Sequence, residues 1–395
     1  MYRELLQPLA IERIINLNKL STSQWGSQID FNTGQSIDLS AYHIALIGVE
    51  EDRENLVERN CAAAPDTIRR ELYKLYNWEK AFKIIDLGNI KNGATVYATA
   101  EYLASVLRLL LRAKVIPIVL GGTHDLSYGQ FMAYEAFNQS VNMSIVDEKI
   151  DMLIRENEIN SQSFIYNILS HQPYLIDNLL QIGYQHYHTD PLLIRTFEKL
   201  QHQCYRLAYF REDFRRFEPL MRQSDLLAFD FSALKAADAP GQKNTSPNGL
   251  TAEEACRLMR YAGISDRLSS LGLYEYFPRH DNRYQTAQLA AQMIWHFVEG
   301  YYNRLYEYPE IYEGEFLQYT IPDKINKQAL VFYKSKISGR WWLKISLGKD
   351  AQKYSKIIPC LEEDFKMAQK GNIPETWISN YIKYSASKPP IKEID

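Results

Sequence analysis

Short runs made almost entirely of apolar residues alternate with longer helical segments through the middle of this sequence. Residues 115–120 and 226–229 are two such runs, and residues 96–113 carry leucines at helical spacing. Strands that are apolar on both faces are typical of parallel sheets covered by helices on either side. The alternation therefore predicts a three-layer α/β/α fold with a mainly parallel central sheet. The predicted strands are residues 43–49, 83–86, 115–120, 143–146, 179–182, 226–229 and 271–274, and the predicted helices are residues 65–76, 96–113, 211–222, 252–261 and 286–301.

The pattern changes at both ends of the chain. Residues 1–42 contain a polar stretch and are interpreted as an N-terminal extension of a core that covers residues 43–304. Beyond residue 304 the alternation stops, and two apolar runs joined through Ser338-Gly339 predict a β-hairpin. A polar tail follows, with Pro374 at a predicted helix start. Residues 305–395 are therefore predicted to form a small α+β appendage.

Composition and charge exclude several classes of protein. The 395 residues include 45 Lys and Arg against 48 Asp and Glu, a net charge of −3 that leaves no basic excess for binding nucleic acid. No apolar stretch approaches the roughly 20 residues that a membrane span requires, and the N-terminus does not resemble a secretory signal. The four cysteines are scattered, without a Cys-x-x-Cys pair. This favours buried free thiols in a cytoplasmic protein.

Polar residues stand where several predicted strands end. His124 follows a Gly-Gly-Thr segment, Asp147 and Asp151 follow the next strand, and Asp230 and Glu275 follow two later ones. Ligands of parallel sheets bind beyond the carboxyl ends of the strands, and carboxylates with one imidazole suit a divalent ion such as Mn²⁺. The alternative is that the aspartates only cap turns and the histidine belongs to the core. No G-x-G-x-x-G, P-loop or G-x-S-x-G motif is present at these strand ends as an alternative.

Taken together, these segments resemble the ureohydrolase family of arginases, agmatinases and formimidoylglutamases, and most of all the formimidoylglutamase-type branch. The resemblance covers about residues 43–303. It rests on residues 60–65 with Ile68-Arg69, Asp86-Leu-Gly88, Gly121-Gly-Thr-His124, residues 147–151, Asp230-Phe-Ser232 leading into Ala239-Pro-Gly241, Asn248-Gly-Leu250 with Glu253, and Tyr274-Glu275.

The resemblance implies two Mn²⁺ ions bridged by a hydroxide that attacks a guanidinium or amidinium carbon. It assigns four retained metal ligands, and it implies that Asp151 accepts a proton and that Glu275 recognises the cationic substrate group. Three positions depart from the family pattern. Lys149 occupies the position of a ligand histidine, Ser232 that of a ligand aspartate, and Thr123 that of the aspartate before the first ligand. The retained ligands are His124, Asp147, Asp151 and Asp230.

The two lost ligands belong to the same metal position. We therefore expect at most one Mn²⁺ or similar ion, with no ion as the alternative, and the hypothesis is that the ammonium of Lys149 fills the second position. Three aspartates and one lysine leave two negative charges, which a single divalent ion balances. Because a fixed ammonium offers no Lewis-acid site, efficient hydrolysis is not expected.

Two functions remain open at this point. One is an impaired or inactive pseudoenzyme that serves in binding or as a scaffold, and the alternative is an active one-metal hydrolase of linear amidine or guanidine C–N bonds. His171 is a candidate proton shuttle, or else an ordinary loop histidine. The expected partners are a cationic small molecule, a protein partner through the appendage, and further copies of the chain. Trp341-Trp342 fits such an interface or the core of a hairpin.

Overall fold

The computed structural model describes residues 2–53, 59–77, 83–137, 139–153, 159–243, 245–311, 313–322, 329–347 and 355–386. The strands are β1 Leu6–Gln7, β2 Asp30–Phe31, β3 Ile44–Val49, β4 Ile84–Ile90, β5 Ile116–Leu120, β6 Val141–Val146, β7 Ile176–Tyr184, β8 Gln203–Arg206, β9 Leu226–Asp230, β10 Ser270–Tyr274, β11 Phe316–Pro322, β12 Ala329–Ser335, β13 Trp341–Ser346 and β14 Ser355–Cys360. The helices are α1 Ile11–Ile14, α2 Ala64–Leu72, α3 Val96–Arg112, α4 Leu126–Met132, α5 Phe164–Ser170, α6 Pro191–Lys199, α7 Leu207–Glu212, α8 Phe217–Gln223, α9 Ala252–Gly263, α10 Gln285–Tyr301, α11 Glu362–Gln369 and α12 Glu375–Ala386.

The larger sheet has the strand order β1-β4-β3-β5-β10-β9-β6-β7-β8, with β2 pairing beside β4. All of its pairings are parallel except the one between β1 and β4. The central strands β3, β5, β9 and β10 are buried along their whole length. This is the burial expected of a sheet that is covered on both faces.

Helices cover both faces of this sheet. Helices α2, α9 and α10 pack together on one face, and α3, α4 and α5 pack together on the other. Along β3 the side chains alternate between two apolar cores, with Ile44 and Leu46 in one and Ala45 and Ile47 in the other. This period of two follows from the geometry of an extended strand. The predicted three-layer α/β/α fold is confirmed.

Most predicted elements of the core are present, with one clear difference. The helix predicted over residues 211–222 is divided into α7 and α8 by a 3₁₀ turn at Phe214–Arg216. The cause is Asp213, whose Oδ1 accepts hydrogen bonds from the backbone N–H and the side chain of Arg215 and so closes a tight turn. The prediction also lacked the short edge strands β1, β2 and β8.

A separate antiparallel sheet of order β11-β12-β13-β14 forms near the carboxyl end of the chain. Its β12–β13 hairpin matches the prediction, and α12 begins directly after Pro374. The Trp341 ring stacks on Phe365 at 4.6 Å and 23°, and Trp342 meets Phe316 edge-on at 5.2 Å. Both tryptophans are buried, and the Trp342 ring also lies under the guanidinium of Arg222, at 4.6 Å. The domain boundaries at residues 42 and 304 stay a prediction.

The antiparallel sheet and its helices, which we call the C-terminal unit (described residues 313–386), contact the core at the amino ends of its strands. The side chain of Arg222, on the helix that precedes β9, donates to the carbonyls of Trp341 at 3.2 Å and Cys360 at 3.3 Å. Asp177, near the start of β7, accepts from Lys383 at 3.5 Å. These two contacts lie away from the carboxyl ends of the strands.

The described residues bear on two expectations, which concern membrane-spanning segments and the cysteines. Within them, no helix combines the length and the apolar character that crossing a bilayer would require. The thiols of Cys61, Cys204, Cys256 and Cys360 are all free, and Cys204 alone is partly exposed. The expected lack of a disulfide framework agrees with these free thiols.

Candidate metal and substrate site

The first part of the site is a turn that follows β5. Gly121 and Gly122 both have positive φ angles, 76° and 77°, a conformation that glycine adopts without strain. A Cβ on Gly121 would lie 2.8 Å from Pro65, so the turn also has no room for a side chain. The turn directs His124 into the interior, where the residue is fully buried. Thr123, which replaces an aspartate of the family pattern, is buried beside it.

His124 lies between two carboxylates that come from neighbouring strands. Its Nδ1 atom is 3.0 Å from Asp230 Oδ2 and 3.3 Å from Asp147 Oδ2. Strands β6 and β9 pair in parallel, so their carboxyl ends, and with them Asp147 and Asp230, lie side by side. The predicted convergence of the histidine with these aspartates is therefore present in the structure.

The second oxygen of each carboxylate caps a turn. Asp230 Oδ1 accepts the backbone N–H of Ser232 at 2.7 Å, and Asp147 Oδ1 accepts that of Lys149 at 3.2 Å. The backbone after Asp230 is a 3₁₀ turn, Phe231–Ala233. The two aspartates therefore do cap turns through Oδ1, while their Oδ2 atoms face His124, so the prediction of a metal site at these residues stays a prediction.

The two substituted positions contact the retained carboxylates. The Ser232 hydroxyl donates a hydrogen bond to Asp147 Oδ1 at 3.0 Å. The Lys149 Nζ atom lies 3.6 Å from Asp151 Oδ1, and about a third of the lysine side chain is exposed. The Asp151 carboxylate raises the pKa of Lys149 against the effect of burial, with further raising by Asp147 and Asp230. The ammonium of Lys149 therefore pairs with Asp151, and its predicted place at a second metal position stays a prediction.

Glu275 closes the inner side of the site. Its Oε1 atom accepts the backbone N–H of His124 at 3.1 Å, and its own N–H donates to the carbonyl of Gly122 at 3.1 Å. Its φ of 61° is a left-handed conformation that costs a non-glycine residue about 1 kcal/mol. Burial raises the pKa of Glu275 to about 8, and the neighbouring Asp230 contributes to the rise. Burial and the neighbouring carboxylate therefore both disfavour the ionised form of Glu275.

Burial and mutual contact shift the other ionisable groups strongly. Burial lowers the pKa of His124, but the contacts with Asp147 and Asp230 outweigh it and raise the pKa to about 10. Burial raises the pKa of Asp147, but contact with His124 reverses the shift and leaves it below the usual value. Burial and the charge of Asp147 raise the pKa of Asp151 well above its usual range. Such strong perturbation is typical of functional sites.

The site fits a divalent metal ion. His124, Asp147 and Asp151 each offer a ligand atom, and these atoms lie within 4.8 Å of one another. Neither ring nitrogen of His124 has a hydrogen-bond partner among the described residues, and the same holds for Asp147 Oδ2. Buried polar atoms that converge without hydrogen-bond geometry are costly unless an ion or water satisfies them. With Asp230 adjacent, the donor set suits an ion such as Mn²⁺.

A small cleft of about 40 Å³ opens onto these residues. Of the residues singled out from the sequence, those that line it are Lys149, Asp151, Asp230, Ser232 and Glu275. Sequence reasoning did not single out six others: Glu148, Ser161, Gln162, Gln242, Lys243 and Phe277. Gln242 and Lys243 directly follow Ala239-Pro-Gly241, so continuing along that motif could have found them.

His171 lies apart from the cleft. Its Nδ1 atom is 2.9 Å from the hydroxyl of Tyr128, and its ring meets Phe131 edge-on at 5.3 Å. It lines a separate, shallow surface groove together with Tyr97 and Tyr166. Its predicted role as a proton shuttle stays a prediction, and none of its contacts that the structure describes supports that role.

The sheet order and the buried histidine and aspartates at the strand ends are those of an arginase-type fold. A family model described as "Arginase family" matches residues 42–299, and the chain belongs to this family. The resemblance to its formimidoylglutamase-like branch is confirmed. The chain is 27% identical over 310 residues to a formimidoylglutamase of Lysinibacillus sphaericus, a match that covers 69% of this chain and 94% of that protein.

Other relatives and solved structures agree. A formimidoylglutamase of Staphylococcus haemolyticus is 24% identical over 263 residues, which cover 64% of this chain and 82% of that protein. The structure of Trypanosoma cruzi formiminoglutamase with Mn²⁺₂ superposes with a TM-score of 0.65 at 22% identity, covering 71% of this chain and 99% of that chain. Formimidoylglutamase from Bacillus subtilis also gives a TM-score of 0.65, at 20% identity over 72% of this chain and 93% of that chain. These structures share the fold.

Proposed function

We propose that this protein is an arginase-family member with one divalent-ion position, whose hydrolytic activity is impaired or lost and whose cleft serves in binding. In this proposal, His124, Asp147, Asp151 and Asp230 hold the ion, and Lys149 and Ser232 take the place of the second. The observation that carries the proposal is the hydrogen bond from Ser232 to Asp147, because a hydroxyl satisfies the oxygen that would otherwise face a second cation.

Charge balance supports a single ion. Asp147, Asp151 and Asp230 carry up to three negative charges, and the Lys149 ammonium 3.6 Å from Asp151 offsets one of them. Without that offset, buried carboxylates this close together would need a second cation or protonation, at a cost of several kcal/mol per charge. The T. cruzi relative with Mn²⁺₂ supports manganese as the kind of ion.

The residues of the cleft retain a binding function in this proposal. Glu275 recognises a guanidinium or amidinium group from the inner wall, where the backbone N–H of His124 holds its carboxylate in place. Asp151 is the residue suited to accept a proton, because burial and Asp147 raise its pKa well above the usual range. A bound divalent ion would supply Lewis-acid activation of water. Lys149 adds positive charge but no such activation.

The alternative is an active one-metal hydrolase of linear amidine or guanidine C–N bonds. The observation that favours it is the convergence of three residues of one position, His124, Asp147 and Asp151, whose ligand atoms lie within 4.8 Å of one another. Loss of one electrostatic contribution of this kind typically costs about 10²–10³ in rate, so residual turnover is compatible with the same site. The chemistry of the cleft is common to both candidates, and they differ in rate.

Metal content and turnover of the full-length protein test the proposal. After Mn²⁺ loading and gel filtration, mass spectrometry of the metal should give about one ion per chain. Urea, formamide or ammonia release from arginine, agmatine and formimidoylglutamate should be weak or absent. Two tightly bound ions with efficient turnover would overturn the proposal, whereas one ion with efficient turnover would select the hydrolase alternative.

A further inference from the structure

We propose that a cavity between the core and the C-terminal unit binds a small aliphatic ammonium compound, and that this ligand holds the unit on the core. The cavity has a volume of about 180 Å³, more than ten times the roughly 10–15 Å³ that one water molecule needs. Its lining shares no residue with the cleft at Glu275. The inference goes beyond the proposed function and does not depend on it.

The core and the C-terminal unit each form one wall of this junction cavity. The wall from the core consists of residues of β8, α7, α8 and the turn between the two helices, among them Tyr205 and Tyr209. The opposite wall consists of residues at β14, α11 and α12, among them Asp364 and Glu375. A ligand in the junction cavity therefore contacts both parts, and separating them destroys its site.

The wall from the core is aromatic. The rings of Tyr205 and Tyr209 stack with a centroid distance of 4.9 Å and an interplanar angle of 27°. The guanidinium of Arg216 lies 4.4 Å from the centroid of the Tyr209 ring, so a cation of the chain already uses this surface. Aromatic faces attract cations, and the attraction is stronger where the cation loses water. This wall therefore suits a positively charged ligand better than an anion.

The wall from the C-terminal unit is acidic. The Asp364 carboxylate is held in place, because it accepts the Leu361 N–H at 2.9 Å and the Thr376 hydroxyl at 3.0 Å. Burial raises the pKa of Asp364, and the charges of neighbouring glutamates add to the rise. Burial also raises the pKa of Tyr205, with contributions from Glu375 and Asp364. These two carboxylates therefore lie close enough to the aromatic wall to act on the same ligand.

The charges of the lining leave room for a cation. Four carboxylates line the junction cavity, and Arg216 is the one basic side chain among the lining residues. Arg215 pairs with two of these carboxylates, Asp213 at 2.8 Å and Glu363 at 3.0 Å. The other two, those of Asp364 and Glu375, form no ion pair with any residue that the structure describes. An ammonium beside them would offset a repulsion that otherwise favours protonation.

A buried hydrogen-bond acceptor lies in a recess beside the junction cavity. The recess shares Gln203, Leu220 and Gln223 with the lining of the cavity. It is also lined by Asn178, whose amide donates to Gln203 Oε1 at 3.0 Å. The Oδ1 atom of Asn178 is buried and has no hydrogen-bond partner among the described residues. A buried acceptor needs a donor from a ligand or a water, which favours an ammonium that carries N–H groups.

Four small molecules that differ in charge and in N–H donors test this inference. Calorimetric titration of the full-length protein should show the tightest binding for n-butylammonium, weaker binding for tetramethylammonium, and no measurable binding for n-butanol or butyrate. Glu375→Gln removes an exposed charge and should weaken n-butylammonium about tenfold. The matched control is Glu12→Gln, which also removes an exposed carboxylate from the first turn of a helix and should change no affinity.

Limited proteolysis by subtilisin tests the link between the ligand and the C-terminal unit. At an n-butylammonium concentration 100 times its Kd, cleavage within residues 313–386 should slow about a hundredfold, because the ligand binds only while the unit is in place. At the same concentration, Glu375→Gln should show about a tenth of this protection and Glu12→Gln all of it. Equal affinities for butyrate and n-butylammonium, unchanged binding in Glu375→Gln, loss of binding in Glu275→Gln instead, or unprotected cleavage with the ligand bound would each overturn the inference.

Discussion

The hydroxyl of Ser232 donates a hydrogen bond to Asp147 Oδ1 at 3.0 Å, from the end of one parallel strand to the end of its neighbour. The same Asp147 presents its other oxygen to His124 at 3.3 Å. Asp147 thus faces His124 through Oδ2 and accepts a hydrogen bond from Ser232 through Oδ1. The Oδ2 side suits an ion, whereas the Oδ1 side is already satisfied by the protein.

Restoring the two substituted ligands should restore a second ion. In Lys149→His with Ser232→Asp, an imidazole and a carboxylate replace the ammonium and the hydroxyl that contact Asp151 and Asp147. We expect the Mn²⁺ content to rise from about one to about two ions per chain, measured by mass spectrometry after gel filtration. The control Lys149→Met with Ser232→Ala removes the same contacts without adding ligands and should gain no ion. Unchanged occupancy in the double variant would show that these positions are not former ligand positions.

Replacement of His171 should leave any hydrolysis unaffected. A positioned proton shuttle typically contributes about 10²–10⁴-fold to rate. His171 instead contacts Tyr128 at 2.9 Å, in a groove separate from the cleft. We therefore expect kcat of His171→Ala to match that of the wild type, measured in the one-metal protein or in the restored double variant. A hundredfold decrease would show that this histidine reaches the cleft.

Acid should destabilise the fold through His202. Burial lowers the pKa of His202 from 6.5 to about 4, Lys383 adds to this, and the Leu179 N–H donates to the neutral ring at 3.2 Å. Between pH 4 and 6.5 the unfolded chain therefore binds more protons than the folded chain. The free energy of unfolding consequently falls as the pH falls, by about 3 kcal/mol over the whole range.

Urea unfolding of the wild type and of His202→Gln across this pH range isolates the contribution. The amide has no titration of its own, so the variant should show a shallower decline than the wild type between pH 6.5 and 4. Other carboxylates titrate in both proteins and cancel in the difference. Parallel curves would contradict the role assigned to His202.

The C-terminal unit should depend on Arg222. This arginine pairs with Glu218 at 2.8 Å, donates to two carbonyls of the unit and stacks over Trp342 at 4.6 Å. Arg222→Met leaves buried acceptors without a donor, so we expect a loss of about 3 kcal/mol in the free energy of unfolding. Faster proteolysis within residues 313–386 should accompany it, while the Mn²⁺ content stays unchanged.

The conservative control is Arg222→Lys. It keeps the charge beside Glu218 but cannot donate to both carbonyls or stack as a planar group. An intermediate loss of stability is therefore expected. Equal stability of the wild type and Arg222→Met would show that the unit is held to the core by other contacts.

The core was predictable because its signal is local and repeated. Buried parallel strands read as apolar runs, and the seven predicted runs correspond to β3, β4, β5, β6, β7, β9 and β10. The short strands β1, β2 and β8 carry no such signal, because two to four residues at a sheet edge need no apolar pattern. The turn at Asp213 was missed because a single side-chain hydrogen bond overrides a helical pattern.

The convergence of His124 with Asp147 and Asp230 was also predictable, since these residues follow strands whose neighbours are fixed by the sheet order. What the sequence did not indicate is which residues the surrounding side chains contact. The pairing of Lys149 with Asp151 depends on the bend of the segment between them. The presence of Lys243 in the lining depends on a long-range bond from Gly241 to Thr286, and His171 faces Tyr128 because of helix packing.

The opposite placement of the cleft and the C-terminal unit has a practical result. The described bonds of the unit reach residues at the amino ends of the strands, such as Asp177 and Arg222, while the cleft opens at their carboxyl ends. A surface tether or a bulky label attached to β11 would therefore leave small molecules free to enter. Immobilised protein oriented in this way should report ligand affinities equal to those in free solution.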